Sequence, residues 1–210
     1  MSDIAATTAF AFDAAADTYD DDLHHAEIAE ELVRGLQPTS PPAMVVDVAT
    51  GTGFAAFAAL RRLAAQRVVG VDISRGMLDR AQAKAVHDDP DGRIEWRHAP
   101  AVPLDLGDGT VDVVLCASAL HFLGREALRD WLRVLRPGGQ VAFSMPMAAD
   151  FRPSSEFRRM VAAHLSVPSD AEAAARIALD DGFVGASAGI FAADAERRRR
   201  AFIVRAQAPP

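Results

Sequence analysis

The stretch VVDVATGTGFAAFAAL, Val45 to Leu60, decides the fold. It opens apolar and β-branched, turns glycine-rich, and closes on an alanine-rich run, which reads as strand, tight turn and helix. Gly51 and Gly53 let the backbone bend sharply and let a ligand approach the main chain without meeting a Cβ. The turn opens a helix, whose N-terminal amides favour negative charge. Gly51, Gly53 and Ala56 satisfy G-x-G-x-x-A, a spacing that alone is weak evidence. Asp47 changes the reading. Near the carboxyl end of the first strand it lies close to the ligand crevice. Two like charges about 5 Å apart at an effective dielectric near 20 repel by roughly 3 kcal/mol. The crevice therefore suits a positively charged ligand better than a diphosphate. A carboxylate between Val46 and Val48 in a core strand also needs a hydrogen-bonding partner.

Asp72 ends a second such strand, VVGVD, nineteen positions after Gly53. A carboxylate there can accept hydrogen bonds from both ribose hydroxyls of an adenosine. The rival role is a turn or helix cap, common for Asp at a strand end. NAD and S-adenosylmethionine share the ribose, so Asp72 does not separate them. Asp47 does, because S-adenosylmethionine carries an ammonium and a sulfonium and no phosphate.

Outward from this unit, short apolar runs alternate with longer helical patterns, the habit of a parallel sheet with helices on both faces. The strands are read at Met44–Ala49, Arg67–Ile73, Arg93–His98, Val111–Ala117, Gly139–Met145 and Ala201–Gln207, with a seventh at Gly182–Ile190. Ser74 is the expected N-cap of a helix carrying Met77, Leu78 and Ala81. Leu128, Trp131, Leu132 and Leu135 mark the face of another, ended by Pro137 and turned by Gly138 and Gly139. Upstream, Ile28, Leu32, Val33 and Leu36 form the apolar stripe of a helix stopped by Pro38.

The 210 residues suit one well-filled domain. A formal charge of −7 disfavours nucleic acid and anionic membrane as partners. The cluster Arg197 to Arg200 reads as a solvated approach to the last strand. One cysteine, Cys116, excludes an intramolecular disulfide, and the N-terminus lacks the pattern of a signal peptide, so a cytoplasmic protein is expected. No apolar run approaches membrane-spanning length.

Several ordered segments together resemble the class I S-adenosylmethionine-dependent methyltransferases. VVDVATGTG is similar to their first motif, in the variant of the ubiquinone/menaquinone type, and Asp72 with its strand to the second. HAPAVPLDLGDGTVDVVLCASALHFL resembles the stretch from an adenine-binding loop into the fourth strand, and LRVLRPGGQVAFS the helix, turn and fifth strand. FDAAADTYDDD resembles the lid of small-molecule members. The resemblance implies an α/β Rossmann-like, doubly wound, seven-stranded sheet, order 3-2-1-4-5-7-6, the last strand antiparallel. It implies a helical lid over residues 1–40 and a cofactor-binding domain over 41–210, with a short cap around 147–181. S-adenosylmethionine would meet Asp47, the backbone at Ala49, Thr50, Gly51 and Gly53, and Ala117 at its methionine end. Asp72 would hold the ribose, Ile73 and Met77 would flank the adenine, and the Ala99 amide would meet it. The sequence departs from the family at His98, where an acidic residue usually takes the adenine amine; the neutral imidazole is expected to accept that hydrogen bond instead, without the favourable charge. With so short a cap, the roof comes from the N-terminal helices or from the second subunit of a homodimer.

A methyltransferase chiefly orients its acceptor and excludes water, and needs a base only if the acceptor must lose a proton. The candidates are His121, just after the fourth strand, His24 with its neighbour His25, and Tyr19 in the lid. Each has a rival role in packing, and adjacent histidines on a helix diverge too far to share a metal. Phe10, Phe12, Phe151 and Phe157 could line an apolar acceptor pocket. The expected function is methylation of a small apolar metabolite at oxygen, nitrogen or carbon. The same fold doing cyclisation or elimination is the alternative, with a nicotinamide oxidoreductase or a non-catalytic subunit behind it.

Overall fold

The computed structural model describes residues 3–161, 165–192 and 199–210. Among them, β1 (Met44–Val48), β2 (Arg67–Asp72), β3 (Ile94–His98), β4 (Val111–Cys116), β5 (Leu135–Pro146), β6 (Val184–Ala192) and β7 (Arg200–Gln207) form one seven-stranded sheet. Its order is β3-β2-β1-β4-β5-β7-β6, and β7 runs antiparallel to both its neighbours, as expected. The helices are α1 (Asp3–Ala15), α2 (Leu23–Arg34), α3 (Phe54–Leu63), α4 (Arg75–Asp88), α5 (Leu120–Leu123), α6 (Arg125–Val134), α7 (Ser155–Met160) and α8 (Ala171–Leu179).

The two-residue period of the strands sorts their side chains into two cores. Val46, Val48, Val69, Val71 and Phe143 pack with Trp131 of α6 and Ile177 of α8. Val45, Val68, Val113 and Leu115 pack with α2 and α3 on the other face. The register breaks in β4 between Val111 and Val113. Asp112, at the break, accepts the Met44 amide at 2.7 Å and pairs with Arg136 at 2.6 Å, which ties the starts of three strands together.

Three expected boundaries move. First, α2 belongs to the helical layer and not to the lid, because its stripe Ile28, Ala29, Leu32 and Val33 is fully buried against α3 and the sheet. Arg205 of β7 fixes the helix end by donating to the carbonyls of Glu31 and Leu32. Second, the cap is shorter than 147–181. Its second half is α8, whose Ala174 and Ala178 lie in the core; residues 162–164 of that expected cap are outside the described set. Third, Leu135 leaves the helix and starts β5 in extended conformation (φ −68°, ψ 136°), opposite Val111. Of the arginine cluster, Arg197 and Arg198 lie outside the described residues. Arg199 and Arg200 are not merely solvated: they pair with Asp22 and, through two bonds, with Asp150.

The glycine turn has two faces. Gly53 (φ +88°) sits beneath the Trp96 ring, which also covers Gly70; an added Cβ would stand 2.6 Å from Trp96 and 2.9 Å from Phe57. Gly51 (φ +55°) has open space where its Cβ would be. Gly53→Ala should therefore cost about 2–4 kcal/mol, from left-handed strain plus overpacking, and Gly51→Ala only about 1–2 kcal/mol from strain. Urea midpoints of the two variants check this contrast.

Candidate functional site

The carboxyl ends of β1, β2 and β4 open into a cavity of about 250 Å³, roofed by the lid. Ala49, Gly51, Asp72, Ile73, Met77 and Ala117, all expected at the cofactor, line it. So does Tyr19, together with Phe12 and Thr8 of α1. Asp72 is the only charged side chain among its described lining residues. A diphosphate would find no cation there.

Asp72 is 7% exposed. One carboxylate oxygen accepts the Gly51 amide at 2.7 Å and the other the Ser74 amide at 2.8 Å. Each oxygen keeps a lone pair for a further donor such as a ribose hydroxyl. Burial raises its pKa above the usual carboxylate range, against the pull of these amides. Ala49 stands at φ +52°, a left-handed conformation unusual outside glycine, and so turns the main chain toward the cavity.

Asp47, Thr50 and Gly53, expected to touch the cofactor, are placed behind the cavity wall. Asp47 shares the parity of Val45 and faces α3. It accepts the Thr50 hydroxyl at 2.6 Å and the Ala56 amide at 3.0 Å, capping α3 from within the sheet. Burial pushes its pKa up to about 7, and its second oxygen is buried without a partner. Two adenine contacts are also corrected. The Ala99 amide is already donated to the Asp72 carbonyl at 3.0 Å. His98 is exposed and outside the lining; its Nε2 donates to the Ile73 carbonyl at 3.0 Å, and its Nδ1 accepts from Arg75 at 3.3 Å. Pro100, Ala101 and Val102, which lie in the stretch that resembles an adenine-binding loop but were not singled out in it, line the cavity instead.

The lid is latched by carboxylates. Asp13 of α1 accepts the Ser74 hydroxyl at 2.6 Å and the Gly76 amide at 2.9 Å, which lowers its pKa. Asp17 pairs with Arg80 at 2.7 Å, and Asp20 holds the Thr52 hydroxyl at 2.6 Å and Lys84 at 2.8 Å. The acidic run is thus structural, and Asp22 is the N-cap of α2.

The remaining catalytic candidates part company. Tyr19 edges Phe12 and stacks on His25 at 4.5 Å in the first cavity wall. His24, His25 and His121 line a second cavity of about 310 Å³, with Phe151 and Phe157. Ser118 borders both cavities. His121 is 5% exposed, and burial alone pulls its pKa down to about 4. Phe10, expected in an acceptor pocket, is 76% exposed and lines neither cavity. Among the described residues, no group of three or more His, Cys, Asp and Glu is arranged to hold a metal, and no helix is long and apolar enough to cross a membrane.

The cradle fits S-adenosylmethionine: one buried carboxylate for a ribose, an apolar wall for a purine, and main chain open at Gly51. Residues 45–139 match the family described as Methyltransferase domain. The ubiquinone/menaquinone biosynthesis C-methyltransferase UbiE of Dinoroseobacter shibae is 33% identical over 99 residues, 46% of this chain and 40% of that protein. The chain spans well under two thirds of the curated relatives it first matches. In fold it resembles the complex between the Haloferax volcanii Trm112 methyltransferase activator and a methyltransferase (TM-score 0.72, 19% identity, 95% of this chain and 98% of that one). It also resembles Haemonchus contortus phosphoethanolamine N-methyltransferase 2 in complex with S-adenosyl-L-methionine (TM-score 0.66, 18% identity, 88% of this chain and 52% of that one). Residues 45–139 thus match the methyltransferase-domain family, and the sheet that carries them has the fold of the solved methyltransferases it resembles.

Proposed function

We propose that this chain is an S-adenosylmethionine-dependent methyltransferase acting on a small, apolar molecule, in the cytoplasm. One observation carries the reading: the only charge on the described lining of the first cavity is the buried carboxylate of Asp72. When bound, S-adenosylmethionine supplies a methyl group on a positively charged sulfur. Asp72 binds the ribose, Ile73, Met77, Ala101 and Val102 flank the adenine, and the main chain from Ala49 to Gly51 meets the methionine part. Thr8, Phe12 and Tyr19 close over the cavity and exclude water. The acceptor enters the second cavity, whose aromatic and methionine lining suits an apolar body, and meets the donor at Ser118. His98, one of the two features behind the cyclisation or elimination alternative, stands outside the cavity lining and so lends it nothing.

Asp72→Ala should weaken S-adenosylhomocysteine by about 1–3 kcal/mol, the scale of lost hydrogen bonds to a charged group. Isothermal titration checks this, and an unchanged dissociation constant contradicts the ribose assignment. A pH dependence follows from Asp47, whose pKa near 7 leaves it part-protonated at neutrality. A cation in the neighbouring cavity favours the ionised form, so affinity for S-adenosylmethionine should rise between pH 6 and 8, by less than the roughly tenfold per unit of full coupling, since Asp47 lies behind the cavity wall. Asp47→Asn, which keeps an acceptor for Thr50 and Ala56, should flatten the profile. A profile equally steep in the variant contradicts the assignment.

A further inference from the structure

The second cavity holds chemistry that the cofactor site leaves unused. Its partition from the first is built by consecutive residues facing opposite ways: Phe122 borders the first cavity, His121 the second, and their rings lie 4.1 Å apart. Ser118 borders both, so the two cavities adjoin at this residue. Nδ1 of His121 is buried and has no hydrogen-bonding partner in the described structure. A buried, unpaired ring nitrogen on a cavity wall is a place for a donor.

His24, whose Nδ1 is also buried without a partner, lies on the same lining with His25, which stacks on Tyr19; the charged groups and Ser144 are engaged. Asp150 is held by Arg200 through two bonds, Arg199 by Asp22, and the Ser144 hydroxyl oxygen accepts the Ser118 amide at 2.7 Å. Arg152 donates to the carbonyls of Ala148 and Phe151. Phe151 and Phe157 flank the imidazole, with ring centroids at 5.8 and 6.1 Å. Burial keeps the imidazole neutral, so it can accept a hydrogen bond. A carboxylate or phosphate has no proton to offer it, and a cation meets three arginines against one aspartate on the lining.

Resting on the first cavity as the methyl-donor site, we propose that the second is the acceptor pocket and takes a flat, uncharged phenol- or enol-type molecule whose hydroxyl donates to Nδ1 of His121. The hydroxyl oxygen bonds to the methyl carbon as the carbon–sulfur bond breaks, with the electron pair left on sulfur. The hydroxyl proton is held at Nδ1 and passes to solvent on product release. The positive charge lost from sulfur reappears on the imidazole, so the charge of the site is conserved. His121 touches the substrate and is a catalytic residue in this scheme.

The test uses the full chain, with and without S-adenosylhomocysteine, titrated with 2-naphthol and with 2-methoxynaphthalene. Wild type should bind the naphthol about tenfold more tightly than its methyl ether, the worth of one hydrogen bond in a buried site. His121→Phe should bring the two within about threefold of each other, and His121→Asn, which keeps an acceptor, should restore part of the preference. Unchanged S-adenosylhomocysteine affinity and circular dichroism establish that both variants fold. Equal affinity for the two probes in wild type, binding of neither, or an undiminished preference in His121→Phe overturns the proposal. If S-adenosylhomocysteine does not bind but the naphthol preference holds in its absence, the donor site is misread and the hydroxyl pocket stands. If it binds and the preference is absent, the pocket fails and the donor site stands.

Discussion

The carboxylate of Asp47 holds strand, turn and helix together from one buried point. One oxygen takes the Thr50 hydroxyl and the Ala56 amide, and so satisfies the start of α3 without any side chain from the turn. Gly53, the residue at the cap position of α3, has no side chain to offer. Because the cap comes from the sheet, the turn can present bare main chain at Ala49 and Gly51 to the cavity while Gly53 packs under Trp96. The same burial that makes this arrangement rigid raises the pKa of the group and leaves one oxygen unpaired. A neighbouring positive charge would relieve both conditions.

The rest of the site is held by charge used structurally. Asp13, Asp17, Asp20 and Asp22 all carry partners, so the acidic N-terminal segment is a set of clasps. The loop after β3 is held likewise. Asp130 accepts the Leu104 amide at 2.7 Å, and Arg133 donates to the Leu104 and Leu106 carbonyls at 3.0 and 2.8 Å and pairs with Asp108 at 2.7 Å. This cluster keeps the cavity wall of Pro100 to Val102 in place without putting a cation among the described lining residues. The positive charges of this cluster stand outside the first cavity, and the one charge on its described lining is negative.

What was legible in the sequence follows from where local pattern dictates position. Strand ends were readable, so Gly51, Asp72, Ile73, Met77 and Ala117 fall on the cavity. Facing was readable in principle and was missed: Asp47 shares the parity of Val45, which points to α3, and not that of Val46 and Val48. The apolar stripe of α2 likewise marks a buried layer helix, which is how the structure places it. The separation of His121 from Phe122 was not legible, because α5 is only four residues long and has no periodicity to set a face. Nor was the engagement of His98 by Arg75 and the Ile73 carbonyl, which depends on two loops meeting in space.

The central claim is that the first cavity is built for a cationic adenosyl ligand and against a diphosphate. Thermal unfolding with saturating S-adenosylmethionine, set beside the same concentration of NAD, tests it most directly, since a ligand that binds only the folded state raises the midpoint. The account predicts a rise of several degrees, roughly the effect of 1–3 kcal/mol, with S-adenosylmethionine and none with NAD. A midpoint raised by NAD and unmoved by S-adenosylmethionine would contradict it.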